Sequence, residues 1–172
     1  MIILPKKSEV LTMGYSIIAG GGGGQAFASN TIITPVTLNL VKHESPGLVG
    51  ALNVSTYRIT PQIAGKYLFN AIYNIVIGDS TTSQYSIRAY IYKNGIQIQN
   101  TVFAIPASIG AFAHIPVVTH FTTITLNGVT DYVDFRLSNH TVNGLSFTVF
   151  GGPGAINGDD GNIVTGQLIQ PT

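Results

Sequence analysis

Four histidines, seven carboxylates and a run of five glycines are the features of this 172-residue chain that bear most directly on chemistry. His114 and His120 fall on one face of an extended segment, but six residues of strand place them about 20 Å apart. That is too far for one metal within a chain. A threefold axis beside such a residue would assemble a three-histidine site from three copies; an ordinary surface or interface histidine is the simpler expectation. Asp159-Asp160, in the turn from Asn157 to Gly161, are the candidate cation ligands. They lack the alternating acidic loop of a dedicated calcium site, so the expectation is a solvated turn, with no metal and no cofactor. Asp79, in a similar Gly-Asp turn, is read the same way. Gly20 to Gly24 is followed by no Gly-Lys-Ser/Thr and opens no helix, which favours a joint over a phosphate loop. No Gly-x-Ser-x-Gly elbow occurs, and no His, Ser and carboxylate fall at matched strand ends. The chain is not expected to be an enzyme.

Composition narrows the partners. Charged residues make up 9% of the chain, against roughly 25% in ordinary soluble domains. Net charge is +1 and the longest basic run is Lys6-Lys7. Binding of nucleic acid through phosphate neutralisation is therefore not expected. With no cysteine, disulfides and thiolate chemistry are excluded. No apolar run approaches the ~20 residues of a membrane-spanning helix. Pro5-Lys6-Lys7 follows Ile2-Ile3-Leu4, the reverse of a secretory signal, so neither a membrane nor an export route is expected.

The elements that must position these residues are strands. Ile63 to Gly95 contains two with clean period-two alternation. In the first, Tyr67, Phe69, Ala71, Tyr73, Ile75 and Ile77 share a face, opposite Leu68, Asn70, Ile72, Asn74 and Val76. In the second, Tyr85, Ile87, Ala89 and Ile91 oppose Ser86, Arg88, Tyr90 and Tyr92. It closes at Asn94-Gly95, a pair that tolerates the positive φ of a tight hairpin. Further strands are expected over Gln25–Ser29, Ile32–Val41, Leu52–Thr60, Ile96–Ile105, His114–Leu126, Asp131–Asn139 and Asn162–Gln170. In the Asp131 segment Val133, Phe135 and Leu137 face inward. No segment repeats at helical spacing, and nine or ten strands separated by turn signals argue for an all-β sandwich. Residues 1–24 read as an N-terminal arm with a glycine joint, able to extend roughly 80 Å. Its partner-binding candidates are Ile3, Leu4, Lys6, Lys7, Leu11 and Tyr15. The folded domain is read as 25–172.

Four motifs in order give that domain a family likeness. Ala64-Gly65-Lys66-Tyr67-Leu68-Phe69 matches a Gly-x-Tyr-x-Phe strand, and Lys93-Asn94-Gly95 a Lys-Asn-Gly turn. Leu126, Asp131, Val133 and Phe135 match a Leu, Gly-Asp-x-Val-x-Leu run, and Asn162 to Ile169 a closing strand ending Ser/Thr-Gly-Phe-Leu. The chain thus resembles the complement C1q-like branch of the tumour-necrosis-factor-like jelly rolls, with Thr130 standing for the usual Gly and Gln167 for the usual Phe. The resemblance implies a jelly-roll β-sandwich of about ten strands that assembles as a homotrimer. Under it, the aromatic row Tyr67, Phe69 and Tyr73, with Phe135, is either core or trimer contact. Without a collagen-like or heptad stalk, such a head is similar to small bacteriophage virion proteins. The expectation is a trimeric capsid decoration (cement) protein, assembled in the host cytoplasm, located in the virion and docked to capsid proteins through the arm. The alternative is a receptor-binding head of a head or tail fibre, recognising a host surface glycan or protein through Gly78–Ser83, Pro106–Ala113 and Val142–Gly161. A secreted cytokine-like ligand is the third reading.

Overall fold

The computed structural model describes residues 16–20, 24–29, 32–38, 40–45, 49–77, 85–106, 114–141, 145–150 and 162–172. The described residues contain thirteen strands and no helix. In chain order they are β1 (Ser16–Gly20), β2 (Gln25–Phe27), β3 (Thr34–Pro35), β4 (Leu40–Glu44), β5 (Leu52–Asn53), β6 (Arg58–Ile59), β7 (Gly65–Ile77), β8 (Tyr85–Lys93), β9 (Ile96–Ile105), β10 (His114–Leu126), β11 (Val133–Asn139), β12 (Phe147–Phe150) and β13 (Ile163–Pro171). They form two antiparallel sheets. One has seven strands in the order β2-β12-β7-β13-β1-β4, with β10 on the other edge of β7. The second has six, β5-β6-β11-β8-β9, with β3 also on β11. The count exceeds ten because β3, β5 and β6 are two-residue strands.

β7 is the axis of the larger sheet. Its aromatic face is sealed between the sheets: Tyr67, Phe69, Ala71, Tyr73 and Ile75 have no exposed surface. The opposing sheet contributes Ile87, Ala89, Ile91, Val133, Phe135 and Leu137, also buried. Tyr67, Phe69, Tyr73 and Phe135 are therefore core within one chain. Phe135 packs edge-on to Phe69, with ring centres 5.8 Å apart, and lies 5.6 Å from Phe121. β10 reaches this core through a bulge. The register on β7 skips a residue between His120 and Thr123, so buried positions change from Val117, Thr119 and Phe121 to Ile124 and Leu126. A single extra residue reverses which parity faces inward.

Several expected elements differ. Ile32–Val41 is not one strand: Thr34–Pro35 pairs with β11 in one sheet and Leu40–Glu44 with β1 in the other. Between them the buried Val36 and Leu38 cross the sandwich edge. Leu52–Thr60 is a hairpin, because the Asn53 side-chain oxygen Oδ1 accepts N–H bonds from Ser55 and Thr56 and turns the chain. Phe147–Phe150 is a strand the alternation does not announce; with β13 it completes one edge of β7. The arm boundary moves as well. Ser16–Gly20 is a sheet strand, paired with β13 on one side and β4 on the other. The folded unit thus begins before the glycine run. Residues 1–15, with Ile3, Leu4, Lys6, Lys7, Leu11 and Tyr15, lie outside the described residues, as do Asp159 and Asp160.

Candidate functional site

Three places combine polar chemistry with defined geometry. The first joins two of the chain's four Asn-Gly pairs, Asn94-Gly95 and Asn127-Gly128. The Asp131 carboxylate accepts from Asn94 Nδ2 at 2.7 Å and from the Asn127 backbone N–H at 3.1 Å, and pairs with Lys93 Nζ at 2.9 Å. Asn127 Oδ1 accepts the N–H groups of Val129, Thr130 and Asp131. Asn94 and Gly95 hold φ of 52° and 79°. Gly128 holds 74°, and a Cβ there would meet the Ala64 backbone nitrogen at 2.5 Å. This is a clamp on one end of the sandwich.

Lys93 and Asn94 hold Asp131 below the ordinary carboxylate range. A depressed folded pKa contributes stability above the unfolded value near 3.9, lost as pH falls through the folded pKa. Asp131→Asn is expected to cost about 1–2 kcal/mol at pH 7, from weakened charge-assisted hydrogen bonds, and progressively less as the pH falls into the acid range. Melting curves of both proteins from pH 7 to pH 2 check this; parallel curves would remove Asp131 from the pH dependence.

The second place is on the outward face of β8 and β11. Ser138 Oγ lies 2.8 Å from His140 Nε2 and 3.0 Å from the Tyr90 hydroxyl. A serine beside an imidazole is the core of a nucleophilic pair. Ser138, however, has no exposed surface and Tyr90 is 3% exposed. Burial, aided by the Arg88 charge, pushes the His140 pKa down. A nucleophile that no substrate can touch performs no chemistry, so this group ties two strands together. His120 lies on the other sheet, its Nδ1 2.8 Å from Asn70 Oδ1 on an exposed face. Among the described residues no group of three or more His, Asp or Glu comes together.

The third place is a surface. β9 and β10 are edge strands of opposite sheets, each backbone-paired on one side only, and Gln99 of β9 bridges to the His120 carbonyl and Thr122 N–H of β10. Between them runs an open groove of about 530 Å³ lined by Val102 to Pro106 and Ile115 to Val118. Val102 is 56% exposed and Val118 48%. On the outward face of the larger sheet, Val118 of β10, Ile72 of β7 and Ile163 of β13 stand side by side in register. Neither β9, β10 nor β13 contains a Lys, Arg, Asp or Glu. Edge strands that remain in water are usually blunted by charge; neither of these carries a charge of its own. The one ammonium hydrogen-bonded to β10 among the described residues is that of Lys93, which donates to Thr125 O at the clamp end. Sequence alternation marks the outward residues of each strand, yet only the pairing sets them in one row.

No protein-family model matches this sequence, and no curated protein matches it either. Solved structures do match in shape. The globular domain of zebrafish complement 1qA protein aligns with a TM-score of 0.57 at 12% identity, over 92% of this chain and 99% of that domain. Eiger TNF from S. frugiperda aligns at 0.56 and 9% identity, over 92% and 94%. The fold is a C1q/TNF-like jelly roll. At such identity the likeness speaks for architecture, and function rests on the surfaces of this chain.

Proposed function

We propose that the chain is a non-enzymatic assembly module, a homotrimer that decorates a virion shell and is fastened to it through residues 1–15. The observation that carries the trimer is the uncharged seam of β9 and β10, continuous with the Val118–Ile72–Ile163 row. Covering such a surface with a second copy removes apolar area from water, at about 25 cal/mol per Å², and shields two sheet edges that side chains cap only in part. Obligate interfaces have this uncharged character. The two ends of the sandwich support a separate fastening end. Ser16 pairs with Gln167, and the Thr172 N–H donates to Ala64 O, so β1 begins at the end where the chain leaves. The β7–β10 and β8–β9 registers set His114 beside Val76 and Tyr85 beside Ile105, and the groove shared by Ile105 and Ile115 puts these strand ends together at the opposite end.

A second reading, a receptor-binding head on a virion fibre, draws on that same polarity. The strand ends Ile77, Tyr85, Ile105 and His114 lie away from Ser16 and Thr172. The receptor contacts are assigned to residues 78–83, 106–113 and 142–161, which lie outside the described residues except for Pro106 and 145–150. The test takes two steps. Light scattering is expected to give three times 18.2 kDa, about 55 kDa, for the chain, and a monomer for Val118→Asp. A wild-type mass of one chain would end the trimer reading. The trimer is then mixed with undecorated shells and with host cells: binding to shells alone supports decoration, and binding to cells alone supports the receptor-binding head.

A further inference from the structure

The chain has three arginines, Arg58, Arg88 and Arg136, and the strand registers place all three on one face. Arg58 of β6 stands opposite Asp134 of β11, and Arg88 of β8 opposite Ser138, while Arg136 lies between them on β11. All belong to the outward parity of the six-stranded sheet, away from the core residues Val133, Phe135 and Leu137. The guanidinium of Arg58 lies 4.2 Å from the centre of the Tyr132 ring, and that of Arg136 4.0 Å from Tyr92. Stacking on a ring fixes the plane of each fork and leaves edge N–H donors available.

Charge on this face is unbalanced. Its one described carboxylate, Asp134, is 3% exposed and taken in a two-pronged pair by Arg136. Among the described residues neither Arg58 nor Arg88 has an ion-pair partner, and Arg88 Nε is buried with no hydrogen-bond acceptor. Lys93 is turned aside to Asp131. In a chain of net charge +1, concentrating every arginine on one sheet face makes a local cationic field.

We propose that this face binds an anionic polysaccharide, with Arg58 and Arg88 engaging carboxylate or sulfate groups on successive sugars. From Asp134 to Ser138 is four residues, about 13 Å along the strand, and β6 to β8 is two strand spacings, about 10 Å. The two arginine backbones are therefore about 16 Å apart on a diagonal, a span for several sugar rings lying flat. The planar fork suits bidentate pairing with such anions. An acidic protein fits less well, because stable protein contacts need a desolvated apolar centre. Between the two arginines Tyr90 and Ser138 are buried, so the groups left at the surface are Arg136 and Tyr92, both half-buried, with the exposed aliphatic Val102 only at the β9 edge. This assignment goes beyond the assembly reading and does not depend on it.

The test is calorimetric titration of the full chain with heparin as a sulfated polysaccharide, beside neutral dextran, poly-glutamate and random-sequence duplex DNA. Heparin is expected to bind at least tenfold more tightly than the other three. Arg58→Gln with Arg88→Gln is expected to weaken heparin at least tenfold, while Lys66→Gln on the other sheet changes it less than twofold. Should the double variant melt early, Arg58→Gln alone is expected to weaken binding about threefold. Heparin binding no tighter than dextran would overturn the proposal. Equal binding of poly-glutamate would reassign the face to an acidic protein, and equal binding of DNA to an unselective cationic surface. Unchanged affinity in the arginine variants would move the site elsewhere.

Discussion

A chain lacking residues 1–24 is expected to lose the cooperative fold, whereas one lacking only residues 1–15 should melt within a few degrees of the full chain. The difference is β1. Five of its residues pair with β13 and four with β4, and among the described residues no other strand pairing joins β4 to the larger sheet. Each ladder hydrogen bond contributes about 0.5–1.5 kcal/mol net. Removing both ladders thus forfeits about 4–10 kcal/mol, comparable to the whole stability of a domain at about 5–15 kcal/mol. It also bares the edge of β13, an uncharged strand open to pairing with other chains. Circular dichroism melting and soluble yield of the two truncations provide the check. If the chain without 1–24 melts like the full chain, β1 is dispensable and the folded unit does start at Gln25. The shorter truncation is the right reagent for the docking role proposed for residues 1–15, since it should keep the fold and lose shell binding.

Phe135→Ala is expected to cost about 3–5 kcal/mol, the range for deleting a buried aromatic ring. Phe135 is 1% exposed and meets Phe69 and Phe121 at the point where the sheets are joined. The bulge in β10 places Phe121 there, so backbone relaxation cannot easily close the cavity. Phe135→Leu keeps most of the volume and should cost under about 2 kcal/mol. Denaturant midpoints at one fixed protein concentration give both values. A loss below 1 kcal/mol for the alanine variant, accompanied by a fall in mass, would place this ring between copies and not within one chain.

Asn94-Gly95 and the alternation of Tyr67 to Ile77 were legible because each is a local rule: a turn that needs positive φ, and a strand whose faces differ in polarity. The jelly-roll architecture followed from four such motifs in order. Where local rules compete, the sequence misled. Ser16 to Gly20 looked like part of an arm, and only the partners β13 and β4 make it a strand. Leu52 to Thr60 alternates like a strand, but the Asn53 side chain bonds the next backbone donors and bends it into a hairpin. Asp134 and Ser138 sit at outward positions and are buried nonetheless, which alternation has no means to express.

What the chain determined alone was its class, an uncharged all-β sandwich, since the pattern of apolar and polar residues along a strand is set residue by residue. The choice of core over interface for Tyr67, Phe69, Tyr73 and Phe135 came from the tertiary structure. So did the row of Val118, Ile72 and Ile163 and the gathering of Arg58, Arg88 and Arg136 on one face. Those residues lie 30 to 91 positions apart in sequence, and only hydrogen-bonded register between strands, a non-local property, brings them side by side.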